Sequence, residues 1–391
     1  MNILFLSLSS VYNSFYGGLA KMFSKKGHSV TMISPSPTRD SDTVVEGVRN
    51  ITFKFLPLSG TNMIKKGIAN LLFPFCSKRV VKRYSKQNTF DLILSSTPPV
   101  AFFAPIKYIK KHNKQTKHYL ILRDIWPEAF NLFNIEKHHP IVYSFFRRQE
   151  RILYSVSDII GCMSEGNIDF VRKSNPETEK KLRLLYNWGV ETSPVSTTSD
   201  VRQKYDLEGK FVLIYGGNMG IPQGLDNILK LASMVKDKTD VVFLLIGRGE
   251  DKERIRGEVN RLDLKNVRIM NFLPKTDFES ILHISDVGLI SLNEKLKTPS
   301  IPSKTISYWS LRMPIMAIVD RVTDYGPNII DKSQSGLWAY ADDDERILYN
   351  FEQLYSDKAL RSKLGDNGLR FLVDECSEEK AYNTIMSQLY E

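Results

Sequence analysis

The sequence predicts an α/β protein made of two successive domains, each built on a parallel sheet. Three observations lead to this prediction. Short runs of β-branched and aliphatic residues alternate with helical patterns in the first half of the chain, the alternation stops in a polar segment near residue 190, and it then begins again. With 391 residues, of which 42% are hydrophobic, the chain is long enough to bury the cores of two domains.

Seven strands are predicted in the first half of the chain. Their sequences are NILFLSL, SVTMI, ITFKFLPL, DLILSS, HYLILRD, DIIGCM and LRLLYN. Helices are predicted between them, near residues 18–26, 63–86, 101–112 and 140–156. Because strands joined by helices run parallel and are covered on both faces, residues 1–190 are assigned to a first α/β domain.

The second half repeats the pattern after residues 187–199, NWGVETSPVSTTS, which are polar and aperiodic like a linker. Its predicted strands are FVLIYGG, VVFLLIG, NVRIMNFL, DVGLISL and PIMAIV, with helices near residues 225–235, 251–261, 277–284 and 304–311. Residues 200–375 are assigned to a second domain. Residues 342–391 are predicted to be helical, and the last helix, residues 376–391, packs on the second domain or crosses back to the first.

The cysteines and the hydropathy favour a cytoplasmic protein. Cys76, Cys162 and Cys376 lie far apart without CxxC spacing, which argues against a zinc site or a disulfide framework. The first residues, MNILFLSLSS, lack the basic region of a signal peptide and are interpreted as a strand. No run approaches the roughly 18 apolar residues of a membrane-spanning helix.

The net charge of +10 is distributed unevenly. Residues 1–190 carry 28 Lys and Arg against 13 Asp and Glu, whereas residues 191–391 carry 26 against 31. Residues 63–86 interleave apolar residues with cations and contain no acid, as in a helix on an anionic bilayer, and residues 106–118 add further cations. The alternative is a solvated basic face on a core helix. Nucleic acid is disfavoured because no binding module or aromatic stacking platform is recognisable.

Candidate binding residues were sought where strands end, because ligands of open parallel sheets bind there. Gly17 and Gly18 follow the first strand at a helix start, where an anion or sugar could approach the backbone, or where the chain merely turns. No GxGxxG is present, which argues against a dinucleotide cofactor. The segment Arg123-Asp124-Ile125-Trp126-Pro127-Glu128 follows another strand and could orient sugar hydroxyls or transfer protons. A helix cap with a packed tryptophan is the alternative.

The second domain offers a glycine-rich loop and two cations. Residues 214–225, IYGGNMGIPQGL, contain four glycines between a strand and a helix, which suits a phosphate-binding loop but also helix–sheet packing. Arg248 and Lys304 each lie at a strand end or helix start. Two cations there could balance the charge of a leaving diphosphate, although each is individually typical of a solvated surface.

Six segments carry a resemblance that covers essentially the whole chain. They are RDIWPE at 123–128, YGGNMGIPQGLDNILKLA at 215–232, LLIGRGEDKERI at 244–255, NFLPKTDFESIL at 271–282, SDVGLISL at 285–292 and PSKTISYWSLRMPIMA at 302–317. In this order they resemble the retaining GT-B glycosyltransferases of family 4, notably the bacterial branch with the fucosamine transferases of O-antigen and capsule synthesis. The resemblance implies two Rossmann-like domains facing across a cleft, the first binding the acceptor and the second the nucleotide sugar.

The resemblance also implies roles for residues. The base would lie near Phe272 and Leu273, and Asp124 would face the reacting sugar. Catalysis is assigned to Asp124, Arg248 and Lys304. The resemblance and the positions at strand ends together assign substrate binding to twelve residues. They are Gly17, Gly18, Arg123, Glu128, Gly217, Asn218, Gly220, Gln223, Phe272, Leu273, Ser303 and Ser307.

The chain departs from the family pattern at two places. Many members have Arg and Lys in the phosphate loop where this chain has Gly217 and Gln223, which leaves the diphosphate charge to Arg248 and Lys304. Many also have two glutamates seven residues apart, and the matching positions here are Pro299 and Ser307. Because the glutamates are missing here, the family's usual contact with the ribose of the nucleotide is in doubt. The fucosamine-transferase branch shares the Asn-x-Gly-x-x-Gln-Gly form of the loop.

The implied reaction is retaining transfer of a hexosyl group, with an N-acetylated deoxyhexosyl group as one option, from a UDP-sugar to an undecaprenyl-diphosphate-linked saccharide. It would occur on the inner face of the cytoplasmic membrane. No cofactor or metal is expected, because no DxD-like motif ends a strand and residues 342–344 resemble a helix start. Two alternatives stay open. They are a GT-B sugar-nucleotide epimerase, for which the six histidines form no obvious acid–base set, and a non-catalytic nucleotide-sugar-binding subunit.

Overall fold

The computed structural model describes residues 1–12, 15–58, 63–190 and 200–391. The chain divides into two compact units, one of Met1–Tyr186 with Glu378–Glu391 and one of Asn187–Ser377. Most of the linker predicted at residues 187–199 lies outside the described residues. None of the helices within the described ranges has the length and hydropathy needed to span a bilayer.

The first unit is an eight-stranded sheet with helices between most of its strands. In chain order its elements are β1 Asn2–Leu6, α1 Phe15–Lys25, β2 Ser29–Ser36, β3 Ser41–Val45, β4 Val48–Lys54, α2 Met63–Ser85, β5 Leu92–Thr97, α3 Phe103–His112, β6 Lys117–Leu122, α4 Ile135–His138, α5 Pro140–Val156, β7 Ile159–Cys162, α6 Glu165–Ser174 and β8 Leu182–Leu184. The strand order is β3-β4-β2-β1-β5-β6-β7-β8. Only the β3–β4 pairing among these described strands is antiparallel.

The core of the first unit forms around its central strands, which are buried on both faces. In β5 all six residues are buried, and in β1 only the first is exposed. From the helices, Phe73 of α2 contributes a buried ring whose centroid lies 5.3 Å from that of Phe102. Helix α3 packs against α2 and against α5. The predicted parallel sheet is confirmed, but β3 was not predicted because its residues are mostly exposed and lack an apolar face.

The second unit is a six-stranded sheet that is parallel throughout its described strands. Its elements are α7 Asp200–Lys204, β9 Phe211–Asn218, α8 Asp226–Met234, β10 Val241–Arg248, α9 Lys252–Arg261, β11 Val267–Met270, α10 Lys275–Ile284, β12 Val287–Ser291, α11 Lys304–Ser310, β13 Ile315–Val319, β14 Gly336–Tyr340, α12 Asp344–Ser356 and α13 Lys358–Glu375. The strand order is β11-β10-β9-β12-β13-β14. Because β9 and β10 lie side by side inside the sheet, the loops that follow them meet at one edge.

The end of the chain is helical, as predicted. After α12 and α13, a last helix, α14 Glu378–Gln388, belongs to the first unit, where it packs on α1. Its contacts include the ring of Tyr382, whose centroid lies 4.7 Å from that of Phe23, and the Tyr382 hydroxyl, which is 2.9 Å from His28 Nε2. Aromatic packing and a hydrogen bond therefore hold the terminal helix on the first sheet's helical layer.

Candidate functional site

A cavity of about 440 Å³ opens in the second unit where β9 and β10 end. The two strands pair up to their last residues, with Gly247 opposite Gly217 and Arg248 opposite Asn218. The sequence-predicted residues that line this cavity are Gly217, Asn218, Gln223, Phe272, Leu273, Ser303, Lys304 and Ser307. The fold thus brings together residues that are up to 90 positions apart in the sequence.

The glycine-rich loop is closed by its own glutamine. Gln223 Oε1 accepts hydrogen bonds from the Gly220 backbone N–H, at 3.1 Å, and from Asn218 Nδ2, at 3.2 Å. Gly217 has φ of +125°, which side-chain-bearing residues rarely adopt. A Cβ atom on Gly247 of the neighbouring strand would lie 1.8 Å from the Gly217 carbonyl oxygen. The loop is therefore a preformed backbone surface that requires glycine at both positions.

Lys304 is the cation of the cavity. Its Nζ lies 3.7 Å from the ring centroid of Tyr215, and the Tyr215 hydroxyl donates a 2.6 Å hydrogen bond to the Asn218 carbonyl oxygen. Within the described part of the chain, the Lys304 ammonium has no carboxylate partner. Burial lowers its pKa to about 7. A half-buried ammonium beside a glycine loop, with no acid to neutralise it among the described residues, has the chemistry to hold an anion.

The opposite wall of the cavity is apolar. Phe272 and Leu273 follow β11, and the Phe272 side chain is 69% exposed. The guanidinium carbon of Arg248 lies 5.3 Å from the Phe272 ring centroid, so the predicted diphosphate cation stacks on the predicted base contact. Phe278 packs against Gly216, where a Cβ atom would lie 2.3 Å from the ring. This wall suits a flat heterocycle better than a sugar.

The structure adds Lys252, which the sequence analysis did not identify. Its buried Nζ donates hydrogen bonds to the carbonyl oxygens of Gly247, at 3.0 Å, and Met270, at 2.9 Å. A third bond of 2.7 Å goes to Asn271 Oδ1. Desolvation lowers the pKa of Lys252. Lys252 therefore joins the end of β10 to the loop that carries Phe272.

The predicted residues of the first unit lie at the ends of β1 and β6. The Arg123 guanidinium carbon is 4.2 Å from the ring centroid of Phe15. Burial raises the pKa of the Tyr16 hydroxyl. The charge of Arg123 and hydrogen bonds with Arg123 and Ser96 lower this pKa, but by less. Asp124 still reaches solvent, yet the surrounding protein desolvates its carboxyl and raises its pKa. Tyr16, Arg123 and Asp124 form one polar cluster at this edge.

Glu128 and the glycine pair have partners inside the first unit. Glu128 accepts a hydrogen bond from the Tyr143 hydroxyl, and its Oε1 lies 3.6 Å from Arg147 Nε. At Gly18, a Cβ atom would lie 1.6 Å from Glu378 Oε1, so the carboxylate of α14 rests against this glycine. Gly17 is buried. These contacts supply internal roles for Glu128 and Gly18, and the substrate contacts of all three residues stay predictions.

No group of three or more His, Cys, Asp and Glu side chains in the described ranges is arranged to hold a metal ion. Residues 342–344, which the sequence analysis interpreted as a helix start, precede and open α12. There the Asp343 carboxylate accepts a hydrogen bond from the Arg346 backbone N–H, as an N-cap does.

The second unit matches a family model, and the whole chain has relatives. Residues 197–371 match the model of the family Glycosyl transferases group 1. WbjE of Pseudomonas aeruginosa, named as a glycosyltransferase, is 23% identical over 325 residues, which are 82% of this chain and 77% of WbjE. WcaI of Escherichia coli K12, named for colanic acid biosynthesis, is 25% identical over 130 residues, which are 32% of this chain and 31% of WcaI.

Solved structures share the fold over the full chain. WaaG, described as a glycosyltransferase involved in lipopolysaccharide biosynthesis, has a TM-score of 0.68 at 11% identity, covering 99% of this chain and 98% of its own. HepE of Anabaena, crystallised with UDP, has a TM-score of 0.68 at 14% identity, covering 100% of both chains. The predicted GT-B fold is thereby confirmed. Residues 197–371 thus match a glycosyltransferase family model, and they lie within a chain that shares the GT-B fold with these solved structures.

Proposed function

We propose that this protein transfers a hexosyl group, with retention of configuration, from a UDP-sugar to a lipid-linked saccharide during surface polysaccharide synthesis. The observation that carries the proposal is the cavity of the second unit. It combines an apolar wall at Phe272 and Leu273 with the unneutralised Lys304 beside the Gly217 loop. A nucleoside diphosphate has a flat base at one end and an anionic group at the other, which matches this arrangement.

In the proposed reaction the bond from the sugar's anomeric carbon to the diphosphate breaks as its bond to the acceptor oxygen forms. The acceptor's proton passes to the departing phosphate oxygen, so no nucleophilic carboxylate is required. Lys304, Arg248 and the N–H groups around Gly217 would hold the diphosphate and balance its growing charge without a metal. Asp124 would orient the sugar, and the protein would contribute positioning and electrostatics.

The relatives support the same chemistry. WbjE is named as a glycosyltransferase, WcaI for colanic acid biosynthesis and WaaG for lipopolysaccharide biosynthesis. HepE was crystallised with UDP, and a neighbouring E. coli structure was determined with UDP-2-fluoro glucose. Surface polysaccharides built on lipid carriers are therefore the proposed product class, and a UDP-sugar is the proposed donor.

The test is a screen of UDP, GDP, ADP and their sugar conjugates by thermal shift, because a ligand that binds only the native state raises the melting temperature. UDP and a UDP-sugar are expected to raise it, while GDP and ADP are not. Turnover with a lipid-linked acceptor, unaffected by EDTA, distinguishes the transferase from a non-catalytic subunit. Isomerisation of the UDP-sugar without acceptor would identify an epimerase, and no response to any nucleotide would contradict the proposal.

We also propose that the first unit binds an anionic membrane surface through α2. Ala69, Phe73, Ser77 and Val81 of this helix are buried. Its opposite side exposes Leu71, at 55%, and Phe75, at 73%, together with Ile68 and Leu72. These four positions recur at helical spacing and form one apolar stripe. A stripe of large apolar side chains left in water is typical of an interaction surface.

The charges near the stripe support an anionic partner. Lys78, Arg79, Lys82 and Arg83 are exposed on the second half of α2, and the helix contains no acid. Apolar side chains followed by cations match a bilayer whose headgroups are anionic. The first turns of α5 add exposed Ile141, at 85%, and Val142. In chain order α2 follows β4, and α5 follows β6 after α4, so both connections start at carboxyl ends of strands, the edge of the sheet that carries Arg123 and Asp124.

Co-sedimentation with vesicles tests this surface. The protein is expected to bind vesicles rich in anionic lipid and not neutral ones, with binding that weakens as salt rises. Phe75→Ser with Leu71→Ser, and separately Lys78→Gln with Arg79→Gln, should each reduce binding. The matched control, Arg256→Gln with Arg261→Gln on the solvent-facing side of α9 in the second unit, should not. Equal binding by all variants would contradict the proposed surface.

A further inference from the structure

The cavity of the second unit contains no carboxylate. Of the seventeen residues that line it, all within the described ranges, none is Asp or Glu, and Lys304 is the single charged side chain. Its polar side chains are otherwise neutral amides and hydroxyls. A site that recognises sugar hydroxyls strongly uses charged or buried acceptors, because their hydrogen bonds are about twice as strong as neutral ones.

The ribose of a bound nucleotide would lie between the two ends of the cavity. With the base on Phe272 and Leu273 and the diphosphate at Lys304, the groups near the ribose include Ser303 and Ser307. Ser303 immediately precedes α11 and Ser307 lies one helical turn later, so the two are on the same side of the helix start. Both are exposed to solvent. The hydroxyls that face the ribose are thus neutral and already hydrated.

A further hydroxyl of the cavity lining, that of Ser291, is already engaged. Ser291 Oγ donates a 2.7 Å hydrogen bond to the Gly224 carbonyl oxygen and accepts one of 3.2 Å from Asn227 Nδ2. It holds the glycine-rich loop rather than a ligand. Of the remaining hydroxyls in the described lining, that of Tyr308 is bonded to the Ile214 and Leu289 carbonyl oxygens, Ser300 is half-buried, and Ser303 and Ser307 are exposed, so no fully buried, unengaged hydroxyl is left for the ribose.

Exposure decides how strongly the cavity can select for that hydroxyl. A site whose buried polar groups would be left unpaired rejects a ligand that lacks a hydroxyl by about 10⁴-fold or more. An exposed serine that loses its ligand partner instead bonds to water, so little affinity is lost. The expected preference for a ribose over a 2′-deoxyribose is therefore within about threefold.

We infer that the cavity does not select for the ribose 2′-hydroxyl and that its donors include sugars linked to 2′-deoxyribonucleoside diphosphates. This inference rests on the proposed nucleotide-sugar function and extends its donor class. Sugars of deoxyuridine and thymidine diphosphate fit equally, because Phe278 and Leu282 extend the apolar wall on which the thymine methyl group would lie.

Calorimetric titration of the full chain with UDP, dUDP and dTDP tests the inference. The UDP and dUDP pair isolates the hydroxyl, and the dUDP and dTDP pair isolates the methyl group. The three dissociation constants are expected to agree within about threefold. A larger preference for UDP over dUDP would overturn the inference while leaving the proposed function intact. Binding of none of the three would instead remove the proposed function, and the inference with it.

A variant that adds a carboxylate to the cavity gives a second test of the inference. Ser307→Glu places an acceptor in the cavity and is expected to raise the preference for UDP over dUDP to about tenfold or more, although its charge weakens binding of both. The matched control, Ser356→Glu, adds the same charge at an exposed site on α12 and should leave the ratio unchanged. An unchanged ratio in Ser307→Glu would overturn the assigned position of the ribose.

Discussion

Replacement of Lys304 by methionine is expected to weaken UDP-sugar binding by about 10- to 150-fold, the range of one lost charge-assisted hydrogen bond. The cause is local, since Lys304 is the only cation that lines the described cavity. Methionine keeps the length of the side chain and its packing near Tyr215. The dissociation constant is measured by calorimetry with a UDP-sugar, whose diphosphate does not titrate near neutrality.

The same side chain makes donor binding depend on pH. Because burial lowers the pKa of free Lys304 to about 7, the ammonium loses its proton as the pH rises through neutrality. A bound diphosphate favours the charged form, so affinity is retained below about pH 7 and falls above it, by up to about tenfold per pH unit. Lys304→Met should bind weakly with no such dependence.

Two controls separate binding from stability. Lys295→Met removes an exposed cation from the loop after β12 and is expected to keep the affinity and the pH profile of the unmodified protein. The melting temperature of unliganded Lys304→Met should not fall, because folding desolvates this ammonium without giving it an ionic partner. A pH profile that persists in Lys304→Met would contradict the assignment.

Replacement of Lys252 by methionine is expected to destabilise the second unit by about 2–4 kcal/mol. Three acceptors, on Gly247, Met270 and Asn271, would lose their shared donor. Since Asn271 immediately precedes Phe272, the loop that forms the apolar wall would also lose its anchor. UDP binding should therefore weaken about tenfold, because the ligand must then order that loop.

Urea unfolding measures the first effect and calorimetry with UDP the second. Arg256→Met on the same helix is the matched control, because Arg256 pairs with Glu253 at the surface, where an ion pair contributes at most about 1 kcal/mol. Its free energy of unfolding and its UDP affinity are expected to stay within error of the unmodified protein. Equal stability of Lys252→Met and Arg256→Met would show that the buried hydrogen bonds are not needed.

Local pattern was sufficient for most of the secondary structure. The helix predicted at 140–156 is observed at Pro140–Val156, and the one predicted at 304–311 at Lys304–Ser310. In both helices the periodicity of apolar residues in the local sequence defines the element, and packing against neighbouring elements does not change it. Strand β3 was missed because all five residues of SDTVV face solvent wholly or partly, since the strand pairs with β4 alone. Strand β14 was missed because its apolar run is short.

For the candidate site, the sequence located the edge but not the contacts. Glycines and cations at strand ends pointed to Gly217, Arg248 and Lys304, because all parallel strands present their ends on one side of a sheet. Nothing in the sequence around Lys252 distinguished it from the exposed cations of α9. Its three acceptors come from the ends of β10 and β11, up to 19 residues away.

The sequence by itself determined two parallel α/β sheets and the strand ends at which a ligand could bind, since hydrophobic periodicity and glycine placement are local properties. Only the tertiary structure decided that, among the residues it describes, Lys304 lies beside Tyr215 without an acidic partner and no carboxylate lines its cavity. The physical reason is that charge, desolvation and hydrogen bonding depend on which distant residues become neighbours. A sequence gives the order of those residues but not their distances.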